Sequence, residues 1–295
     1  MDAHSYNQLV DLSIVFELIV ENEPTVRLGF FISIFVVIAL WEGVSPKRER
    51  LYSRWLRWPS NLGIVALNTV LARLIFPVAA VGLAVIAENS QWGLLYLFDA
   101  PVVLKVVLAV ILLDLAIYLQ HVMFHAVPLL WRLHRMHHTD QDYDLTTGAR
   151  FHPIEIVLSM VIKLAVVAAL GAPPVAVIIF EILLSATAVF NHGNIRLPVA
   201  LDSVLRLLVV TPDMHRVHHS VLVNETNSNF GFNMPWWDRI FGTYVAQPSA
   251  GHDKMTIGLD VFRQPDDQRL DKMLIQPFRP GGKPYAVNRE FGKKT

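Results

Sequence analysis

Twelve histidines occur in 295 residues, and eight of them fall in three short motifs. His121 and His125 form HxxxH; His134, His137 and His138 form HxxHH; His215, His218 and His219 form a second HxxHH. On a helix, residues three and four apart share a face, so each spaced pair can converge on one metal ion. The two rings of a His-His dipeptide point in different directions and can serve two ions. Eight clustered imidazoles exceed what one ion needs. A lone histidine on an apolar face is ordinarily a packed or paired residue, but that reading does not extend to three such motifs. Paired axial haem ligands account for two to four of these side chains and leave the repeated HxxHH unexplained. No HExxH is present, which argues against a zinc hydrolase. The motifs are also too dispersed for a histidine-rich storage tract. The absence of cysteine removes disulfides, thiolate zinc sites and Cys-ligated iron–sulfur clusters. Imidazole suits iron, zinc and copper about equally, so the ligand type leaves the metal open.

The helices that carry these motifs are apolar. Asp114, Tyr118, His121 and His125 fall at i, i+4, i+7 and i+11 on one helical face. An ionisable group in such a run reads as functional. Asp114 is therefore expected either to accept the second ring N–H of a metal-bound histidine or to bond another helix. Glu181, Ser185 and His192 repeat the pattern at i, i+4 and i+11, which adds His192 as a further ligand with Glu181 supporting it.

Hydrophobic residues make up 53% of the chain and charged residues 17%, below the share usual in soluble domains. From Ser60 to Leu130 only Arg73, Glu88, Asp99, Lys105 and Asp114 carry charge. The reading is an all-α integral membrane protein, with four to five transmembrane or re-entrant helices beneath a cytosolic, histidine-rich helical cap. The apolar runs are Leu28–Val44, Leu62–Ala87 with Arg73 and Pro77 interrupting it, Pro101–Gln120, and the pair Ile154–Leu170 and Pro174–Phe190. Gly171 to Pro174 makes that pair a tight antiparallel hairpin. Tyr6–Val20 reads as an amphipathic helix, and the acidic N-terminus carries no secretory signal. Lys47 to Arg57 holds five basic residues, while Arg132, Arg135 and Arg150 lie between the third and fourth runs. These basic loops place the histidines on the cytoplasmic side, in a bacterial inner membrane or the endoplasmic reticulum. Lysine plus arginine balance aspartate plus glutamate at 25 each, which argues against a nucleic-acid partner.

The three motifs together resemble the fatty acid hydroxylase/sterol desaturase superfamily. The segments from Asp144 to Glu155, from Asn191 to Pro198 and from Asn229 to Tyr244 strengthen that resemblance, which spans about Val102 to Tyr244. It implies a membrane di-iron oxygenase using O2, with two iron ions held by His121, His125, His134, His137, His138, His215, His218 and His219. His192 and, less directly, His152 join that set; His152 precedes Pro153 and also suits a helix cap. His4 and His252 read as surface residues. The implied reaction is hydroxylation of an unactivated C–H bond in a fatty-acyl, sterol or ether lipid. Desaturation on the same scaffold and a non-catalytic metal- or haem-binding protein are the alternatives. Electrons are expected from a separate reductase, ferredoxin or b-type cytochrome, because neither GxGxxG nor a P-loop is present. The chain divides into a membrane region (1–100), a catalytic domain (101–245) and a cytosolic tail (246–295).

Overall fold

The computed structural model describes residues 14–282, so most of the amphipathic segment Tyr6–Val20 and all of His4 lie outside it. Five long helices dominate: α1 (Glu23–Val44), α2 (Arg54–Ile75), α4 (Val102–Ala126), α6 (Pro153–Leu170) and α7 (Pro174–Asn191). The short α3 (Ala79–Asn89) continues from α2 after a break at Phe76–Val78, around the expected Pro77. Smaller helices build the cap: α5 (Pro128–His138), α8 (Val199–Leu205), α9 (Pro212–His218), α10 (Val223–Thr226), α11 (Trp236–Ile240) and α12 (Leu270–Ile275). Among the described residues no strand forms; two isolated bridges, Pro46 with Ile195 and Ser220 with Ile257, are the only β pairing.

Local chemistry sets these boundaries. Proline occupies the first turn of α5, α6, α7 and α9, where its missing N–H costs nothing. The Ser53 and Thr211 side chains cap α2 and α9. Gly171 ends α6 at φ 60 and ψ 48, the left-handed conformation that lets the chain turn straight into α7.

Five segments are long and apolar enough to cross a membrane, the second comprising α2 and α3 together. Their outward faces carry large exposed apolar side chains, such as Leu28, Phe30, Leu40 and Leu74, which suits a lipid environment. The chain is an integral membrane protein on this evidence. The main apolar core lies away from the histidines, where Ala80 and Ala84 pack against Val106, Ala109, Leu113, Val167, Val175 and Phe180. Small alanines allow the short α3 to approach α6 and α7 closely.

α1, α4 and α7 end at the histidine layer, and α2 and α6 begin there. Buried Glu42 near the end of α1 accepts from the Leu145 and Asn194 backbone N–H groups at 2.8 Å each. At the start of α2, the fully buried Arg57 bonds Asp140 through Nε at 2.9 Å and Nη2 at 2.5 Å, and Asp144 through Nη1 at 2.7 Å. Both aspartates lie in the loop just after His137 and His138. Arg150 then donates to the Met136 carbonyl at 3.0 Å, one residue before His137. A buried ionic lattice thus holds the loop that follows the first HxxHH motif.

Residues 246–282 pack back on the cap: Arg135 donates to the Gln276 and Arg279 carbonyls at 2.5 Å each, and Met273 joins Ile64 and Met136 in a small core.

Candidate metal centre

Nine histidines from α4, α5, α7 and α9 meet beneath the cap in two groups. His121, His125, His134, His138 and His218 form one; His137, His192, His215 and His219 form the other. Within each group one ring nitrogen from every histidine lies within 4.8 Å of those of the others. The HxxHH motifs divide in the same way. His134 and His138, one turn apart, face the first group, and His137 faces the second; His215 and His219 face the second, and His218 the first. Each His-His dipeptide therefore contributes one ring to each group, a consequence of the roughly 100° rotation between successive helical residues.

The hydrogen bonds fix which nitrogen is free. In the first group His121 Nδ1 meets the Phe230 carbonyl at 2.8 Å, and His125 Nδ1 meets Asn227 Oδ1 at 3.1 Å. His134 Nδ1 meets Glu155 Oε1 at 2.6 Å, and His218 Nδ1 meets the Ser228 carbonyl at 2.7 Å. All four partners accept, so each ring carries its proton on Nδ1 and turns an Nε2 lone pair inward. In the second group His192 Nδ1 meets the Ala188 carbonyl at 2.9 Å.

These side chains fit metal ions. His125 Nε2, His218 Nε2 and both nitrogens of His138, His215 and His219 are buried without a hydrogen-bond partner. Such atoms are costly in a protein interior unless a ligand satisfies them. His121 Nε2 and His134 Nε2 lie 3.2 Å apart, as do His137 Nε2 and His192 Nε2. That is close to the ~3 Å between adjacent nitrogens that each bind one ion at about 2.1 Å. Burial, and then the neighbouring imidazoles, push His137, His138, His215, His218 and His219 well below the usual histidine pKa. Burial lowers His192 to about 4. Neutral rings with free lone pairs are the form that binds metal.

Of the other sequence expectations, those for His152, Glu181 and His252 are corrected, and Asp114 takes the second of its two expected roles, a bond to another helix. His152 stands outside both groups: its Nδ1 accepts from the Ile154 N–H as the cap of α6, and its Nε2 faces the Leu274 carbonyl at 3.2 Å. Asp114 accepts from Trp237 Nε1 at 2.8 Å and the Met234 N–H at 3.3 Å, tying α4 to the cap. Glu181 pairs with Lys163 and with Arg27, the latter at 3.0 Å, joining α1, α6 and α7. Sharing a helical face was insufficient, because a rise of 1.5 Å per residue separates Asp114 from His121 by about 10 Å and Glu181 from His192 by about 16 Å. His252 is not a surface residue; its ring is largely buried 3.8 Å from Asp213.

Sequence reading missed Glu155, Asn227 and the Phe230 and Ser228 carbonyls. Only Glu155 carried a local signal, as a buried carboxylate in the first turn of an otherwise apolar helix.

An apolar cavity of about 380 Å³ opens beside the groups and touches His121, His134 and His137. Val65, Ile117, Phe124, Phe151, Leu184 and Phe232 line it. It reaches Thr69 on the exposed face of α2, so it communicates with the surface of the apolar helices.

Residues 106–243 match the family model described as fatty acid hydroxylase. An ornithine lipid hydroxylase of Rhizobium tropici is 28% identical over 64% of this chain and 55% of its own length. Human alkylglycerol monooxygenase is 28% identical over 50% of this chain and 31% of its own. A cholesterol 25-hydroxylase-like protein of Danio rerio is 27% identical over 78% of this chain and 96% of its own. The chain thus spans about half the length of the first of these relatives and a third of the second. No solved structure matches it. The stretch that matches the fatty acid hydroxylase family, residues 106–243, is somewhat under half of the chain and contains the nine gathered histidines.

Proposed function

We propose that this protein is a membrane di-iron oxygenase that hydroxylates a C–H bond of a lipid, with its histidine layer on the cytoplasmic side. The observation that carries this reading is two adjoining groups of buried, neutral imidazoles at the wall of an apolar cavity among membrane-crossing helices. His121, His125, His134, His138 and His218 would hold one ion, and His137, His192, His215 and His219 the other. A pair of irons supplies redox chemistry on O2 strong enough to oxidise an unactivated C–H bond. The balance is one oxygen atom into the C–H bond and one to water, consuming two electrons and two protons. An external reductase, ferredoxin or b-type cytochrome must supply the electrons. Hydroxylation is favoured over desaturation because the relatives named above are hydroxylases or monooxygenases.

The protein's own residues position and shield. Phe124, Phe151 and Phe232 form a dry wall that holds a lipid chain against His121, His134 and His137. Phe151 stacks on the His137 ring at 4.5 Å between centroids, which fixes that ring beside the cavity. Glu155 holds His134 through Oε1, while its Oε2 is buried without a partner and is placed to receive or return a proton.

Metal analysis of the purified protein tests the reading, with about two irons per chain expected. Comparing lipids from a deletion strain and its parent should show a lipid that gains one oxygen only when the protein is present. Haem absorbance, or iron-loaded protein with no such lipid difference, overturns it.

A further inference from the structure

The cavity is apolar apart from a few groups, and one of them is a buried acceptor left without a donor. Asn68 on α2 lines it and is 92% buried (8% exposed). Its Nδ2 donates to the Phe151 carbonyl at 2.9 Å, and a carbonyl can only accept, so the amide orientation is settled. That leaves Asn68 Oδ1 buried without a partner. Gln120 on α4 also lines the cavity, with its amide paired to Ser159 Oγ at 2.9 Å; a hydroxyl can donate or accept, so the other end of that amide can serve as acceptor or donor. Glu155 Oε2 is another unpartnered oxygen on the same wall. Of these groups, Asn68 Oδ1 can only accept a hydrogen bond. Of the hydroxyl groups in the lining, Thr69 Oγ1 donates to the Val65 carbonyl and Ser159 Oγ pairs with Gln120; with Ser185 these are set in a wall that is otherwise mainly aromatic and aliphatic.

A buried acceptor without a donor costs free energy, and a ligand that brings the donor recovers it. The position is specific, because Asn68 is bonded to the backbone of Phe151, whose ring stacks on His137. We propose that the cavity selects a lipid bearing a hydroxyl group near the carbon presented to the histidines, with Asn68 Oδ1 accepting from that hydroxyl. This deepens the oxygenase reading by naming a recognition group, and it rests on that reading only for the identity of the reacting carbon.

The test is a binding measurement on the full metal-loaded chain in detergent. Dissociation constants are measured by titration calorimetry for 1-dodecanol and for 1-fluorododecane, which has a similar shape but cannot donate. The preference of empty micelles for one over the other is measured separately and divided out. The wild type should prefer the alcohol about fivefold beyond that reference, the ratio expected of one neutral hydrogen bond. Asn68→Leu should abolish the preference, with binding of both ligands still measurable as the sign that the cavity persists. If Asn68→Leu does not fold, the wild-type ratio against micelles decides alone. A wild-type preference no larger than that of micelles, or one that Asn68→Leu retains, overturns the proposal. Neither result bears on the iron count or on oxygen insertion, so failure here is distinguishable from failure of the oxygenase reading.

Discussion

The bonds that orient the imidazoles come from Glu155, Asn227 and three backbone carbonyls. These partners fix the tautomer, and losing one ordinarily weakens metal affinity 10–100-fold. Glu155→Gln should therefore weaken iron binding within that range, measured by competition with a chelator, while His137→Ala and His218→Ala should each lose stoichiometric loading and turnover. Protonation gives a second prediction. Unfolded histidines titrate near 6.5, whereas the buried rings, with His192 at about 4, resist protonation when folded. Between those values the unfolded chain binds more protons, so stability falls as pH falls. The metal-free protein should lose thermal stability progressively from pH 6.5 toward 4, recorded as a declining unfolding midpoint in detergent. A midpoint that rises across that window contradicts the burial of these rings.

Helices and loops are held by buried charge as much as by apolar packing. Arg57 neutralises Asp140 and Asp144, and removing one partner of such a buried set typically costs about 3–5 kcal/mol. Arg57→Met should destabilise the protein on that scale in thermal denaturation, and adding Asp140→Asn should recover part of the loss. The α6–α7 turn makes a different demand. A Cβ on Gly171 would sit 2.0 Å from the Trp92 carbonyl oxygen, on top of the strain of a positive φ. Gly171→Ala should cost more than the ~1 kcal/mol of conformational strain alone. The hairpin itself was readable from Gly171-Ala172-Pro173-Pro174, because turn chemistry is local. Neither the role of Glu181 nor the choice between the two roles of Asp114 was readable, because face sharing ignores the axial distance along a helix.

The whole molecule is asymmetric across the bilayer. The Lys47–Arg57 loop, the cap and residues 246–282 lie at the histidine end, and Ser90 lies beyond α3 near the α6–α7 turn, at the opposite end of the bundle. The absence of cysteine makes this directly testable. A membrane-impermeant maleimide applied from outside should label Ser90→Cys but not Arg50→Cys in intact cells, and permeabilisation should make Arg50→Cys reactive. Both positions are exposed. The reverse pattern would place the histidine layer on the outer face.

What the sequence determined by itself is what depends on neighbours within a few turns: apolar helices of membrane length, the α6–α7 hairpin, and motifs that can divide their rings between two faces. Helical periodicity encodes all of these locally. The tertiary structure alone decided that nine rings gather in two groups, that Glu155 and Asn227 turn them, and that His152 caps a helix instead. Those contacts join residues 21 positions apart for His134 and Glu155 and 102 apart for His125 and Asn227. No local pattern specifies such pairs, because they arise only when packed helices exclude water and leave each buried nitrogen in need of a partner.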